Sequence, residues 1–236
     1  MQIGTSPELL ALLAESSLFN GADISQLEMA LGYAQPRRLS RGEFFFYQDE
    51  AADSFYVIVE GRARLSQLTP EGHQVIIRFM GPGDAMGIIV ALSNTTYPLS
   101  AEAVVDTTAL RWGYDATILL LEEYPRLALN GLRMVAGHFR ELQNRYRELA
   151  TERVERRVAR ALLRLARQSG RRTKEGVLLD LPLTRQDLGE MTGTTLYTVS
   201  RIMSNWEQLG FVVTGRERIV IRDPHRLVVI AEDLPE

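Results

Sequence analysis

The chain has 236 residues, 45% of them hydrophobic and 24% charged, enough for one large or two medium globular domains. No stretch approaches the ~18 consecutive apolar residues a membrane span needs, and the opening MQIGTSPELLALLAESSLF lacks the basic start of a secretory signal. Absence of cysteine removes disulfides, thiolate zinc sites and cysteine-ligated iron–sulfur clusters, and fits a cytoplasmic location.

The net charge of −3 is unevenly spread. Residues 1–150 carry 12 basic and 18 acidic groups, residues 151–236 carry 15 basic and 12 acidic, and Lys174 is the one lysine. Only the second half suits a polyanion.

Residues 5–35 predict short helices, with apolar spacing at Leu9, Leu12, Leu13, Leu27 and Leu31. From Leu39 the period changes. EFFFYQDE, SFYVIVEG, RARLSQL, QVIIRFM and TTALRWG are β-rich runs punctuated by EGR, TPEG and GPGD, the pattern of a sandwich or barrel-like roll.

Near Asp115 the chain turns helical. Ala128, Leu132, Val135, Phe139, Leu142, Tyr146 and Leu149 are separated by 4, 3, 4, 3, 4 and 3 residues, an unbroken heptad seam. Its partner is either the chain's own β-domain or the same helix of a second subunit. Three heptads of large apolar groups favour the second, a two-fold homodimer. TERVERRVARALLRLARQSG continues as a helix that buries Val154, Val158, Ala161, Leu162 and Leu165, with its arginines on a solvated face and Gly170 at its end. RRTKEG reads as a polar turn and VLLDLPL as a short extended piece.

The stretch MTGTTLYTVSRIM breaks one helix and starts another. Thr184 opens a capping-box pattern with Asp187. Gly193 supplies the positive φ of a tight turn, and Thr194 or Thr195 caps the next helix. There, Val199, Ile202 and Trp206 form a buried face, while Tyr197, Ser200, Arg201 and Ser204 face outward. This is a helix-turn-helix, whose second helix enters the major groove of double-stranded DNA. GFVVTGRERIVIRDP follows as a β-hairpin wing, with Arg216 and Arg218 near its tip.

RGEFFFYQDEAADSFYVIVEGRARL, TERVERRVARALLRL and LTRQDLGEMTGTTLYTVSRIMSNWEQLGFV together resemble the Crp–Fnr superfamily of bacterial transcription regulators over nearly the whole chain. The resemblance implies an α+β fold in three parts. Residues 1–115 are a β-roll sensor resembling the cyclic-nucleotide-binding jelly roll, 116–150 a dimerisation helix, and 151–236 a winged helix-turn-helix. It further implies a cytoplasmic homodimer, an activator, that reads an inverted-repeat operator and works with RNA polymerase. The DNA-binding set is Thr184, Gln186, Thr194, Thr195, Leu196, Tyr197, Thr198, Ser200, Arg201, Arg216 and Arg218. Thr184 and Gln186 match phosphate contacts, and Arg201 matches an arginine that reads guanine. Where many members carry a glutamate that reads the opposite strand, this chain has Tyr197.

The sensor departs further. The family's nucleotide pocket uses a glutamate for the ribose and an arginine for the cyclic phosphate. Here Met86, Gly87, Ile88, Ile89, Leu99 and Ser100 stand in the matching segments, with Ile88 and Leu99 at those two positions. No lysine or arginine occurs from Gly81 to Thr108. A phosphate buried there would be unpaired, so a cyclic nucleotide is not expected. YPLSAEAV and the later helical segments are most like the nitric-oxide-responsive, denitrification-type branch, some of whose members are associated with haem. That makes haem the candidate cofactor, with His73 and His138 as candidate ligands and Met80, Met86, Ile88, Ile89 and Leu92 as a candidate lining. A loop position for His73, a packed imidazole for His138 and plain core for the lining are the stronger readings of those residues. No metal-ligand spacing, Gly-rich phosphate loop or nucleophile–base pattern stands out, so no enzyme is expected. The alternative to a DNA regulator is a β-roll sensor of haem, nitric oxide or another small molecule that acts through protein contacts.

Overall fold

The computed structural model describes residues 6–88 and 96–234. Two compact units divide it: 1–73 with 77–141, and 74–76 with 142–236.

The first unit begins with α1 (Pro7–Glu15), capped by Ser6, and α2 (Ile24–Tyr33), held by a capping box between Asp23 and Gln26. Eight strands follow among the described residues: β1 (Gln35–Leu39), β2 (Phe44–Phe46), β3 (Ser54–Glu60), β4 (Ala63–Leu68), β5 (Gln74–Met80), β6 (Ala85–Met86), β7 (Ser100–Ala103) and β8 (Thr107–Gly113). They form two four-stranded sheets, ordered β1-β8-β3-β6 and β2-β7-β4-β5. Strand β3 shows why the sheets pack as they do. Phe55 and Val57 point to one core with Leu13, Phe19, Leu27 and Leu31 of the N-terminal helical region, whereas Tyr56 and Ile58 point to a second core inside the roll. A strand covered on both faces must be apolar throughout, which is why SFYVIVE does not alternate. Trp112 of β8 stacks on Phe55 with ring centroids 4.7 Å apart, and its indole N–H donates to the Ala30 carbonyl at 2.8 Å. Inside the roll, Ala63, Ala101, Ala103 and Ala109 are small enough to leave room for Phe45, Phe46, Tyr56 and Tyr97.

The helical stretch expected near Asp115 is two helices, α3 (Tyr114–Glu123) and α4 (Arg126–Thr151). Pro125 separates them, since it disfavours a helical Tyr124 and lacks a donor. Helix α4 spans 26 residues, roughly 39 Å at 1.5 Å per residue.

The second unit contains α5 (Val154–Ser169), a sheet ordered β11-β12-β10-β9, α6 (Arg185–Thr192), α7 (Leu196–Gln208) and α8 (Pro224–Glu232). Its strands are β9 (Gly170–Thr173), β10 (Gly176–Leu179), β11 (Val212–Gly215) and β12 (Arg218–Ile221). Three sequence expectations are corrected here. RRTKEG is not only a turn: Arg171 and Arg172 belong to β9, which pairs with β10. The stripe of α5 is Val158, Ala159, Ala161, Leu162 and Leu165, with Val154 only half-buried at the helix start. The arginines of α5 are not a plain solvated face. Arg164 donates to both oxygens of Glu148 at 2.9 and 2.8 Å, and Arg160 joins Glu152 at 3.0 Å and Glu232 at 2.9 Å. Glu148 is nearly fully buried, with 7% of its side chain exposed, so Arg164 neutralises a carboxylate that is largely stripped of water.

Among the described residues, no helix is long and apolar enough to cross a membrane.

Candidate nucleic-acid interface

Helix α6 starts on Thr184, whose hydroxyl oxygen accepts from the Asp187 amide at 3.0 Å. Asp187 returns the bond, accepting from the Thr184 amide at 2.8 Å and its hydroxyl at 2.7 Å. Gln186 is exposed, and its amide donates to Glu190 at 2.9 Å. Helix α6 ends on Gly193 at φ 63° and ψ 46°, left-handed backbone that a side chain disfavours. A Cβ at Gly189 would lie 2.9 Å from the Thr194 carbonyl oxygen, so the turn closes tightly on α6.

Thr195, not Thr194, caps α7: its hydroxyl accepts from the Thr198 amide at 3.2 Å. Val199, Met203 and Trp206 are the buried residues of α7. Met203 thus takes the seat expected for Ile202, which is half-buried, because the buried stripe runs 199, 203, 206 at helical pitch. The indole of Trp206 donates to Glu155 of α5 at 3.1 Å. On the other side, Leu196, Tyr197 and Arg201 are exposed, Tyr197 to 78%, while Ser200 and Ser204 are half-buried. The outer face is therefore led by one aliphatic, one phenol and one guanidinium.

A second connection fixes α6 relative to the wing. Arg185 donates to Glu207 at 3.3 Å and to the Thr214 hydroxyl at 3.1 Å, while Glu207 accepts the Thr214 amide at 2.8 Å. Sequence reading missed this triangle because its members lie far apart in the chain. The wing is the β11–β12 hairpin, with Gly215 paired to Arg218 across Arg216 and Glu217. Arg216 sits exposed at the tip; Arg218 is engaged by Glu175 of the neighbouring hairpin at 3.2 Å.

On α4, Ala128, Leu132, Phe139, Leu142, Tyr146 and Leu149 are exposed and Val135 is half-buried. Leu132 is 65% exposed, Phe139 59% and Tyr146 75%. The seam is thus an apolar stripe uncovered within the single chain.

Between the roll and α4 lies a partly open apolar pocket of about 140 Å³, lined among the described residues by groups that include Met80, Met86, Leu65 and Phe46. Of the expected pocket residues, Met86, Gly87, Ile88 and Leu99 line it. Ser100 does not; its hydroxyl accepts from the Gln48 amide at 2.9 Å. Ile89, like Leu92, lies outside the described residues. Gly87 has φ 84°, and a Cβ there would meet the Ser54 carbonyl oxygen at 2.8 Å, so that position is fixed by backbone approach. Tyr97, Pro98 and Met134 complete the wall with His138, and Tyr97 and Met134 are contributors the sequence did not flag. Tyr97 stacks on Phe46 at 3.9 Å and donates its hydroxyl to the Ser54 carbonyl at 2.7 Å. Burial pushes its phenol up to about 12. His138 is exposed on its outer edge, and desolvation on the cavity side, reinforced by Arg78, lowers its pKa and favours the neutral ring.

No arginine or lysine lines this cavity among the described residues, so nothing there matches a cyclic phosphate. For haem, the described lining supplies one imidazole, His138. His73 sits exposed in the β4–β5 turn instead of on the pocket wall.

Comparison with known proteins agrees with both halves of this architecture. The cyclic nucleotide-binding domain family matches residues 36–124, and the Crp-like helix-turn-helix domain family matches 156–230. The transcriptional activatory protein AadR of Rhodopseudomonas palustris is 31% identical over 202 residues, covering 84% of this chain and 82% of AadR. The chain belongs to the Crp–Fnr family. Another family relative, the CRP-like cAMP-activated global transcriptional regulator of Mycobacterium tuberculosis, is 26% identical over 92% of this chain and 96% of its own. Among solved Crp–Fnr structures, FixK2 from Bradyrhizobium japonicum superposes with a TM-score of 0.74 at 28% identity, over 84% of this chain and 96% of FixK2. These relatives are transcription regulators, not enzymes, and the Crp-like helix-turn-helix implies that this protein binds DNA.

Proposed function

We propose that this protein is a cytoplasmic, homodimeric transcription activator that binds an inverted-repeat operator and works with RNA polymerase. The functional division follows the chain: a sensor over 1–115, a dimerisation helix over 116–150 and a DNA-reading unit over 151–236. The carrying observation is the pairing of an exposed apolar stripe on α4 with an exposed α7 face led by Tyr197 and Arg201. Two copies joined along α4 present two α7 helices, and a duplex offers matching major-groove faces about 34 Å apart. Arg201 reads guanine through its planar fork. Tyr197, which lacks a carboxylate, packs on a thymine methyl or bonds through its hydroxyl. Thr194, Thr195, Thr198 and Ser200 surround the first turn of α7, where backbone amides favour phosphate. Leu196 adds apolar contact, Thr184 and Gln186 meet the backbone from α6, and Arg216 and Arg218 do so from the wing.

The sensor has given up cyclic-nucleotide binding. Its apolar pocket suits a small uncharged molecule, since no arginine or lysine among the described lining would pair with an anion. A place in the nitric-oxide-responsive branch is part of this proposal and rests on the resemblance of the segments YPLSAEAV, LEEYPRLALNGLRMVAGH and RELATERVERRVARALLRLARQ. Regulation through protein contacts alone is the second reading, favoured only if the protein ignores DNA.

The test is selection of duplexes from a randomised pool by the purified protein, followed by mobility shifts. Recovery of a two-fold symmetric sequence bound by two chains supports the proposal, and no enrichment over input defeats it. In the same preparation, millimolar cyclic AMP leaves the melting temperature unchanged, whereas benzene raises it by mass action.

A further inference from the structure

Arg157 lies near the start of α5, in a run of arginines whose neighbours pair with carboxylates. Its own guanidinium does something else. Nε donates to the Thr192 carbonyl at 3.0 Å, Nη2 to the Gly193 carbonyl at 3.4 Å and Nη1 to the Glu152 carbonyl at 2.9 Å. Thr192 and Gly193 are the last residue and C-cap of α6, and Glu152 directly follows α4. Helix ends leave their final carbonyls without partners and carry partial negative charge. One planar cation therefore gathers the loose carbonyls of two helix ends. The same junction is closed on a second side, because a Cβ at Gly193 would stand 2.8 Å from Leu149 Cδ2. Leu149 is thus packed against the turn that leads, two residues later, into the Thr195 cap of α7.

We infer that Arg157 is a positioning residue for DNA reading, a tie that locks the end of the dimerisation helix to the helix-turn-helix turn and so sets where α7 points. It touches no base and no phosphate in this role. The arrangement requires a fork with several donors in one plane. A lysine ammonium at this position reaches one or two of the carbonyls but not all three in their present geometry. The buried Glu148–Arg164 pair and the Glu152–Arg160 pair hold the adjacent turns of α4 on α5. With them in place, a rotation of the end of α4 carries α7 along instead of being absorbed at the Glu152–Arg153 junction.

This rests on the DNA-reading proposal, and the experiment separates the two. Full-length wild type, Arg157→Lys and Arg157→Met are measured on the duplex that wild type recovers from a randomised pool and on a scrambled duplex of equal composition. Melting temperature and amide exchange are recorded alongside. The expected result for Arg157→Met is a loss of roughly tenfold in the ratio of the two affinities. Amide exchange should quicken over residues 192–199 and stay unchanged over the wing strands 212–221, with Arg157→Lys intermediate. An unchanged ratio overturns the inference. So does a loss accompanied by faster exchange spread evenly over the unit and a fallen melting temperature, which marks a purely structural role. If Arg157→Met does not fold, Arg157→Lys decides alone by the same ratio. A wild type that enriches no sequence would instead defeat the DNA-reading proposal.

Discussion

Arg201 and Arg216 are both exposed arginines of the second unit, yet the account gives them different consequences. Arg201 stands on the outer face of α7, so Arg201→Ala should cost about 1–3 kcal/mol on the recovered duplex and relax preference at one position of each half-site. Arg216 is at the wing tip, where the proposed function has it meet phosphate, so Arg216→Ala should weaken every sequence alike and reduce the slope of log affinity against log salt by about 1. Mobility shifts across a salt series distinguish the two outcomes. In the roll, Tyr97 accepts from the Ser54 amide at 3.1 Å and donates to its carbonyl at 2.7 Å. Tyr97→Phe leaves both backbone groups to a buried ring edge and should cost about 1–3 kcal/mol in denaturant titrations. Its phenol, held at about 12 when folded, titrates near 10 in the unfolded chain. The unfolded state therefore loses its proton first as pH rises, and this contribution to stability declines between those two values. Tyr97→Phe should flatten that alkaline limb, leaving what Tyr56 and Tyr124 contribute, since burial raises both of these too. The sequence made Arg201 and the capping pair Thr184–Asp187 legible because their signals are local. Tyr97, Met134 and Arg157 were not, since each acts on groups remote in the chain, and a sequence window carries no information about which carbonyl an arginine will meet.

Helix α4 shows what periodicity supplies and where it stops. A strict 4, 3 alternation from Ala128 to Leu149 identified the stripe that the single chain leaves uncovered. It did not reveal that Leu149 also packs on Gly193, or that Glu148, one residue before, is buried against Arg164. Those facts depend on how α5 folds back, which the arginine-rich pattern of α5 disguised as a solvated face. Strand β3 posed the opposite difficulty: apolar throughout, it signals burial on two faces without saying which residues meet helices and which meet the roll. Two consequences belong to elements. Phe139→Asp places a charge in the middle of the proposed seam and should shift the protein to monomers in sedimentation while leaving each chain folded. Arg164→Met strips the partner from a buried carboxylate and should lower stability by about 1–3 kcal/mol in denaturant titrations, without changing the oligomeric state.

Across the whole molecule, the assignment to the Crp–Fnr family fixes the sequence of parts, and this chain's own residues then specify departures from it. The roll is retained, and its apolar pocket is lined among the described residues by groups that include Ile88 and Leu99. The reading helix is retained but carries Tyr197 beside Arg201. In the proposed function these parts become a regulator by pairing, two chains joined along α4 each presenting one α7 to the same duplex. Sedimentation equilibrium of the protein with the recovered duplex, at low salt and over a range of protein concentration, tests this most directly. A free dimer and a complex of two chains per duplex are expected, both lost together in Phe139→Asp. A monomeric protein that binds the recovered duplex no better than a scrambled one would contradict it.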